Sequence, residues 1–223
     1  LLLIKDVYPF GGNAFIFVSD GYQQNLSSIY YIWDVLHGEK ALFFDFDVAL
    51  GSNMAGMVSH FGMVSPINLL YLFIPRDYII ESTIWTLLLR IILSALSMRY
   101  LVRYILYKRG YLFSEKKHAK VSETLFIIFI SLAYAYSSWF MRYYMFFQWL
   151  DEAVILPICV RYLMGMLDGE ERKCNHRYSI SLALMLILNI QQAYAILFFI
   201  VLFSGCHIFT IKAKRHEAIW RLG

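Results

Sequence analysis

The chain has 223 residues, 60% of them hydrophobic and 18% aromatic, with a net charge of +4. Its mean hydropathy is +0.56, and its apolar residues come in long runs, which argues for roughly five or six short membrane spans and leaves no room for a large soluble domain as well. Cys159, Cys174 and Cys206 lie far apart and supply neither a disulfide framework nor a zinc signature, and no HExxH, P-loop, GxSxG or Rossmann pattern supports those soluble chemistries.

In chain order, "LLLIK" is too short for a signal peptide and reads as the tail of a span, the chain then being a fragment. Residues 6–82 form a loop rich in acids: Asp6, Asp20, Asp34, Glu39, Asp45, Asp47, Asp77 and Glu81 stand against Lys40 and Arg76. Asp20 lies between Ser19 and Gly21, just before an aromatic stretch, "SSIYYIWDVL". There it either caps the helix that starts near Tyr22 or holds a carboxylate at the membrane surface, facing a cavity. In the second role it accepts a proton from an attacking hydroxyl or holds a metal. Gln23 and Gln24 follow one turn later and suit a sugar or phosphate oxygen. Asp45 and Asp47 make a weak DxD-like pair on an extended, solvated edge, with Gly51 and Asn53 marking a tight turn close to the site. Residues 54–75 are apolar but broken at Ser65-Pro66, which suggests a re-entrant or interfacial segment.

Spans are expected over 83–105, 122–140, 153–167, 178–190 and 193–211. Arg90 lies inside the first and Arg161 inside the third, where each either binds a lipid phosphate or only pairs structurally. Asp151 and Glu152 precede the third span, either as a helix cap or facing water, and Trp149 with its aromatic neighbours reads as an interfacial belt or a stacking face for a sugar. Residues 178–190 are about 20 Å long as a helix, less than the hydrocarbon core, so Asn189, Gln191 and Gln192 are expected to line a cavity below the outer surface.

Charge orients these spans. Lys108, Arg109, Lys116, Lys117 and Lys120 fill one loop; Arg172, Lys173 and Arg177 a second; Lys212, Lys214, Arg215 and Arg221 the tail. The positive-inside rule makes these three segments cytoplasmic, so residues 6–82, "WLDE" and "NIQQ" face outward.

The runs "YPFGGN", "SDGYQQNLSSIYYIWDVLHGE", "ALGSNMAGMVSHFGMVSPINLLYLFIP" and "QWLDEAVILPICV" resemble, in order and over nearly all of 7–200, the bacterial YfhO membrane-protein family, with "GSN" replacing the more usual "GGN". That family is similar to GT-C class glycosyltransferases. The resemblance implies an all-α, multi-span integral membrane bundle with a large outward first loop carrying juxtamembrane helices. In that frame the chain is one partial membrane module: loop 6–82, transmembrane helices 83–211 and a cytoplasmic segment 212–223. It further implies a bacterial cytoplasmic-membrane enzyme acting on its outer face. The donor is a polyprenyl-phosphate-linked sugar, the acceptor a cell-envelope polymer such as teichoic acid, and membrane lipids surround the site; nucleic acid has no part. Asp20 and Asp151 take the places of the first-loop and second-loop acids. Gln23, Gln24, Asn53, Trp149, Glu152, Gln191 and Gln192 are the candidate substrate contacts. A divalent cation fits the acids without being required, because a lipid phosphate already leaves as a stable anion. A transporter or flippase of an envelope lipid is the alternative, though the two halves show no clear repeat.

Overall fold

The computed structural model describes residues 21–46, 51–53, 65–108, 110, 117–170 and 172–210. Asp20, Lys116 and the segment 212–223 lie outside the described residues. A π-helical turn, Gly21–Leu26, opens the described chain and leads into α1, Ser27–Leu36. A two-residue hairpin follows, β1 (Phe44–Asp45) against β2 (Ser52–Asn53), antiparallel, with Phe44 opposite Asn53. Next come a 3-10 helix, Pro66–Phe73, and α2, Ile79–Lys108. The remaining helices are α3 (Lys117–Ala135), α4 (Ser138–Tyr143), α5 (Phe147–Leu167), α6 (Arg172–Leu188) and α7 (Ile190–Thr210).

Three helical stretches are long and apolar enough to cross a membrane: Arg76–Lys108, Val121–Tyr143 and Ile190–Phe209. Along their middles large apolar side chains face outward, Ile92, Phe129 and Phe198 among them, whereas Ser94, Ser131 and Ser204 point inward; exposed charges such as Arg99, Arg103 and Arg142 stand nearer the ends. That is the pattern expected where the surrounding solvent is lipid. The protein is an all-α membrane protein.

Contacts divide the chain into two compact units. The first comprises residues 1–91, 138–151 and 187–189. In it, Ser65 caps the 3-10 helix by accepting from the Ile67 amide at 3.3 Å, and Pro66 fits the first helical position, where its missing N–H costs nothing. With three residues per turn, Asn68 and Tyr71 share the buried face of that helix, while Leu69, Leu70, Leu72 and Phe73 are exposed. Polar groups inward and apolar groups outward suit an interfacial segment. The segment leading into α2 is tied to α1 by two contacts: Arg76 pairs with Asp34 at 3.2 Å, and Trp33 Nε1 donates to the Ile74 carbonyl at 2.7 Å.

The second unit comprises residues 92–137, 152–186 and 190–223. Its apolar core joins α5, α6 and α7 through Cys159, Leu163, Leu167, Met185, Ile196 and Ile200. Pro157 sits inside α5 and has no N–H to give the carbonyl four residues back. That carbonyl belongs to Ala153, and the Tyr134 hydroxyl of α3 donates to it at 2.8 Å. A second helix's side chain thus supplies the hydrogen bond that proline removes.

At the end of α5, Gly169 takes φ of 77°, a left-handed conformation that glycine adopts without strain. The turn places Asp168 and Glu170 side by side. Lys108 Nζ reaches Glu170 at 2.7 Å and Asp168 at 3.6 Å. His207 Nε2 lies 2.9 Å from Asp168, Tyr104 donates to Glu170 at 2.9 Å, and Arg161 lies 3.5 Å from Glu170. Burial alone would raise the Glu170 carboxyl, but hydrogen bonds from Lys108 and Tyr104 and the charges of Lys108 and Arg161 hold it below its ordinary value. Asp168 is likewise held low, burial being outweighed by His207 and Lys108. Beside this cluster lies a cavity of about 580 Å³ with a mostly apolar lining that includes Leu101, Tyr134, Pro157, Phe199 and Phe203.

Candidate functional site

The site is built from three segments of the first unit that are far apart in sequence. The π-helical turn carries Gly21, the residue after Asp20. A side chain at Gly21 would place its Cβ 2.7 Å from Met145 Sδ and 3.1 Å from Met145 Cβ, so any larger residue would make the Met145 side chain shift. Asn25, buried on the same turn, donates from Nδ2 to the Met145 carbonyl at 3.0 Å. The first-loop motif is therefore fastened to the start of the segment that runs into "QWLD".

Two residues beyond Met145, α5 begins at Phe147, so Asp151 and Glu152 lie in its second turn. This corrects the helix-cap reading: the amides a cap would satisfy belong to the preceding turn. Asp151 is buried in a bidentate pair with Arg90 of α2. Arg90 Nε donates to Oδ1 at 2.6 Å and Nη2 to Oδ2 at 3.2 Å. Arg90 is fully buried; it also donates to Asn68 Oδ1 and to the Thr86 carbonyl, both at 3.3 Å, and stands over the Phe147 ring at 4.9 Å. Below it, the Tyr71 hydroxyl lies 3.4 Å from Thr86 Oγ1. Burial pushes the Tyr71 phenol above its usual value, and the Arg90 charge offsets only part of that, so the group stays neutral. The result is a satisfied polar cluster joining the 3-10 helix, α2 and α5, the condition under which a buried charge pair is tolerated.

The other sequence-derived candidates are distributed more widely. Gln23 and Gln24 are exposed on the π-helical turn, and their carbonyls accept from Ser27 at 2.8 Å and Ser28 at 2.6 Å. Trp149 is half-buried, stacked on Phe146 at 4.7 Å and edge-on to Tyr143 at 4.9 Å. Asn53 lies in β2. Glu152, almost fully buried, belongs to the second unit, as do Gln191, exposed, and Gln192, half-buried, in the first turn of α7. The break expected at "NIQQ" falls on Asn189, which is fully buried between α6 and α7. Among the described residues no group of three His, Cys, Asp or Glu side chains is arranged to hold a metal.

Asn68, Tyr71 and Thr86 were not among the candidates, and their partner Arg90 was the available signal. An arginine within a span demands acceptors, but its spacing does not say which ones.

Long apolar helices and a buried charged cluster beneath an interfacial segment define a multi-span, all-α membrane protein. The pattern of the family described as bacterial membrane protein YfhO matches residues 1–223, and the chain belongs to that family. No curated protein and no solved structure matches it.

Proposed function

We propose that the protein is a GT-C type membrane glycosyltransferase. It moves a sugar from a polyprenyl-phosphate donor to a cell-envelope polymer, such as teichoic acid, at the outer face of the cytoplasmic membrane. The observation that carries this reading is the docking of the first-loop motif on the segment before "WLD", through Gly21 and Asn25 against Met145. Two acid-bearing motifs, separated by more than half the chain, belong to one packed unit.

In this reaction Asp20 takes the proton from an acceptor hydroxyl. The acceptor oxygen then bonds to the anomeric carbon as the bond from that carbon to the phosphate oxygen breaks. Polyprenyl phosphate leaves with the electron pair. Gln23 and Gln24 bind sugar hydroxyls or phosphate oxygens, and Trp149 offers a ring edge to the sugar. Arg90 holds Asp151 in one orientation, so that the acid shapes the floor of the site. Glu152, Asn53, Gln191 and Gln192 are assigned to donor or acceptor contacts on the strength of their types and positions in sequence. A divalent cation is not needed for departure of a phosphate leaving group.

The test is sugar transfer by the full-length protein in membranes supplied with candidate lipid-linked donors. Asp20→Asn is expected to lower transfer by about 10²–10⁴-fold, the usual contribution of a general base, while the protein stays inserted. Near-normal transfer by Asp20→Asn would remove the assignment. Passage of the lipid-linked sugar across the bilayer without transfer would favour the transporter reading.

A further inference from the structure

A second concavity in the first unit, of about 580 Å³, lies between the 3-10 helix and the first three turns of α2, and it contains Glu81. Around it stand Phe73, Tyr78 and Trp85, which are 83%, 62% and 56% exposed, with Leu70 and Leu89 on the apolar side. Tyr78, Glu81, Trp85 and Leu89 share one face of the helix by their spacing of three and four.

Several polar groups of this wall and beside it already have partners. Ser82 donates to the Ile79 carbonyl at 2.7 Å, and Thr86 to the Thr83 carbonyl at 2.9 Å. Arg76 is held by Asp34 and stands over the Tyr30 and Trp33 rings. Glu81 Oε2 is buried and has no hydrogen-bond partner among the described residues. A place in the first turn of α2 explains why an acid is tolerated there, but it gives Oε2 no donor.

A carboxylate oxygen sealed from water without a donor is costly, and a cation that also donates hydrogen bonds removes the cost. Aromatic faces select for the same thing, since they repel an anion and attract a cation. We propose that this concavity binds the primary-ammonium headgroup of a membrane lipid. The ammonium rests against the rings of Tyr78 and Trp85, and the Glu81 side chain, itself only partly buried, turns to present Oε2 to it. An acyl chain runs along Leu70 and Leu89, continuous with the apolar face of a helix that crosses the bilayer. The site is independent of the glycosyltransfer reading and uses none of its residues.

The test uses the full-length protein extracted into nanodiscs that contain equal amounts of phosphatidylethanolamine, phosphatidylglycerol and a diglucosyl diacylglycerol. Retained lipids are then counted by native mass spectrometry. The aminolipid is expected to be retained preferentially. Glu81→Gln should weaken that preference about tenfold, the size of one charge-assisted hydrogen bond. Trp85→Ala should also weaken it, and Trp85→Phe should keep it. Equal retention of the three lipids, preferential retention of the glycolipid, or an unchanged preference in Glu81→Gln would overturn the proposal. N-acetylated phosphatidylethanolamine tests the same contact with the wild-type protein, so the result does not depend on the variants folding. Undiminished retention of that lipid would also overturn it.

Discussion

Arg90 is the most constrained side chain in the described structure. It is fully buried, and its donors go to Asp151, Asn68 and the Thr86 carbonyl. Removing one member of such a pair leaves the other charge buried, whereas removing both together need not be harmful. Asp151→Asn is therefore expected to destabilise the protein by about 3 kcal/mol. The double replacement Arg90→Met with Asp151→Leu should recover most of that loss. Denaturant unfolding of the detergent-solubilised protein measures both, and additive losses in the double variant would show that the two groups do not depend on each other. The pair also marks how far the sequence could be read. Arg90 inside a span announced a structural partner or a lipid phosphate, and Asp151 at a span entrance announced a helix cap, water or a partner. That these two meet depends on how α2 packs against α5, and neither composition nor spacing encodes that packing. Gly21 is a similar case: a glycine after Asp20 reads as a turn, and only the packed structure shows that it admits Met145.

Among the elements, α5 departs most from a regular span. Pro157 opens one rung of its hydrogen-bond ladder, and Tyr134 of α3 closes it from outside. The two substitutions should therefore be strongly coupled. Tyr134→Phe leaves the Ala153 carbonyl without its donor in a region that lacks water, a loss of about 1–3 kcal/mol. In a Pro157→Ala background the restored amide serves that carbonyl, and Tyr134→Phe should then cost much less. A double-mutant cycle on thermal stability checks this, and equal costs in both backgrounds would show that the hydroxyl does not stand in for the amide. Element types were legible from hydrophobic runs, because lipid-facing helices must be apolar along their length. But each of the five long helices begins before the apolar run that marked it, since its first turn holds polar or charged residues that a hydropathy pattern does not include. The Ser65-Pro66 break and the NIQQ break were legible as well, since proline and polar amides interrupt such runs visibly. The π-helical turn at 21–26 and the three-residue period of 66–73 were not, because both arise from contacts that bury Asn25, Asn68 and Tyr71.

At the scale of the whole molecule, the contacts that join helix ends bear on how the chain is oriented. Lys108 closes α2, Asp168 and Glu170 follow α5, and His207 lies in the last turn of α7. Their mutual contacts, 2.7 Å from Lys108 to Glu170 and 2.9 Å from His207 to Asp168, bring the three C-terminal ends together. Ends that meet share one side of the membrane. The segments after these helices are the ones rich in Lys and Arg, and the positive-inside rule predicts a cytoplasmic side for them. With Val121–Tyr143 and α7 crossing, α5 has to cross as well to bring Asp168 to Lys108, and α6 has to cross back. Alpha-helical rise makes α6 about 25 Å long, short of the core by an amount that local thinning or snorkelling absorbs. On that topology Lys173, exposed at the start of α6, lies inside with Lys116, and Asp20 lies outside. Single cysteines at positions 20, 116 and 173 in a Cys-free, full-length background, probed with a membrane-impermeant maleimide on intact cells, are expected to label at 20 alone. Labelling at 173 without 116 would contradict the meeting of the ends of α2, α5 and α7 on one side. Labelling at 116 without 20 would invert the protein and move the proposed transfer site to the wrong face for an outward donor.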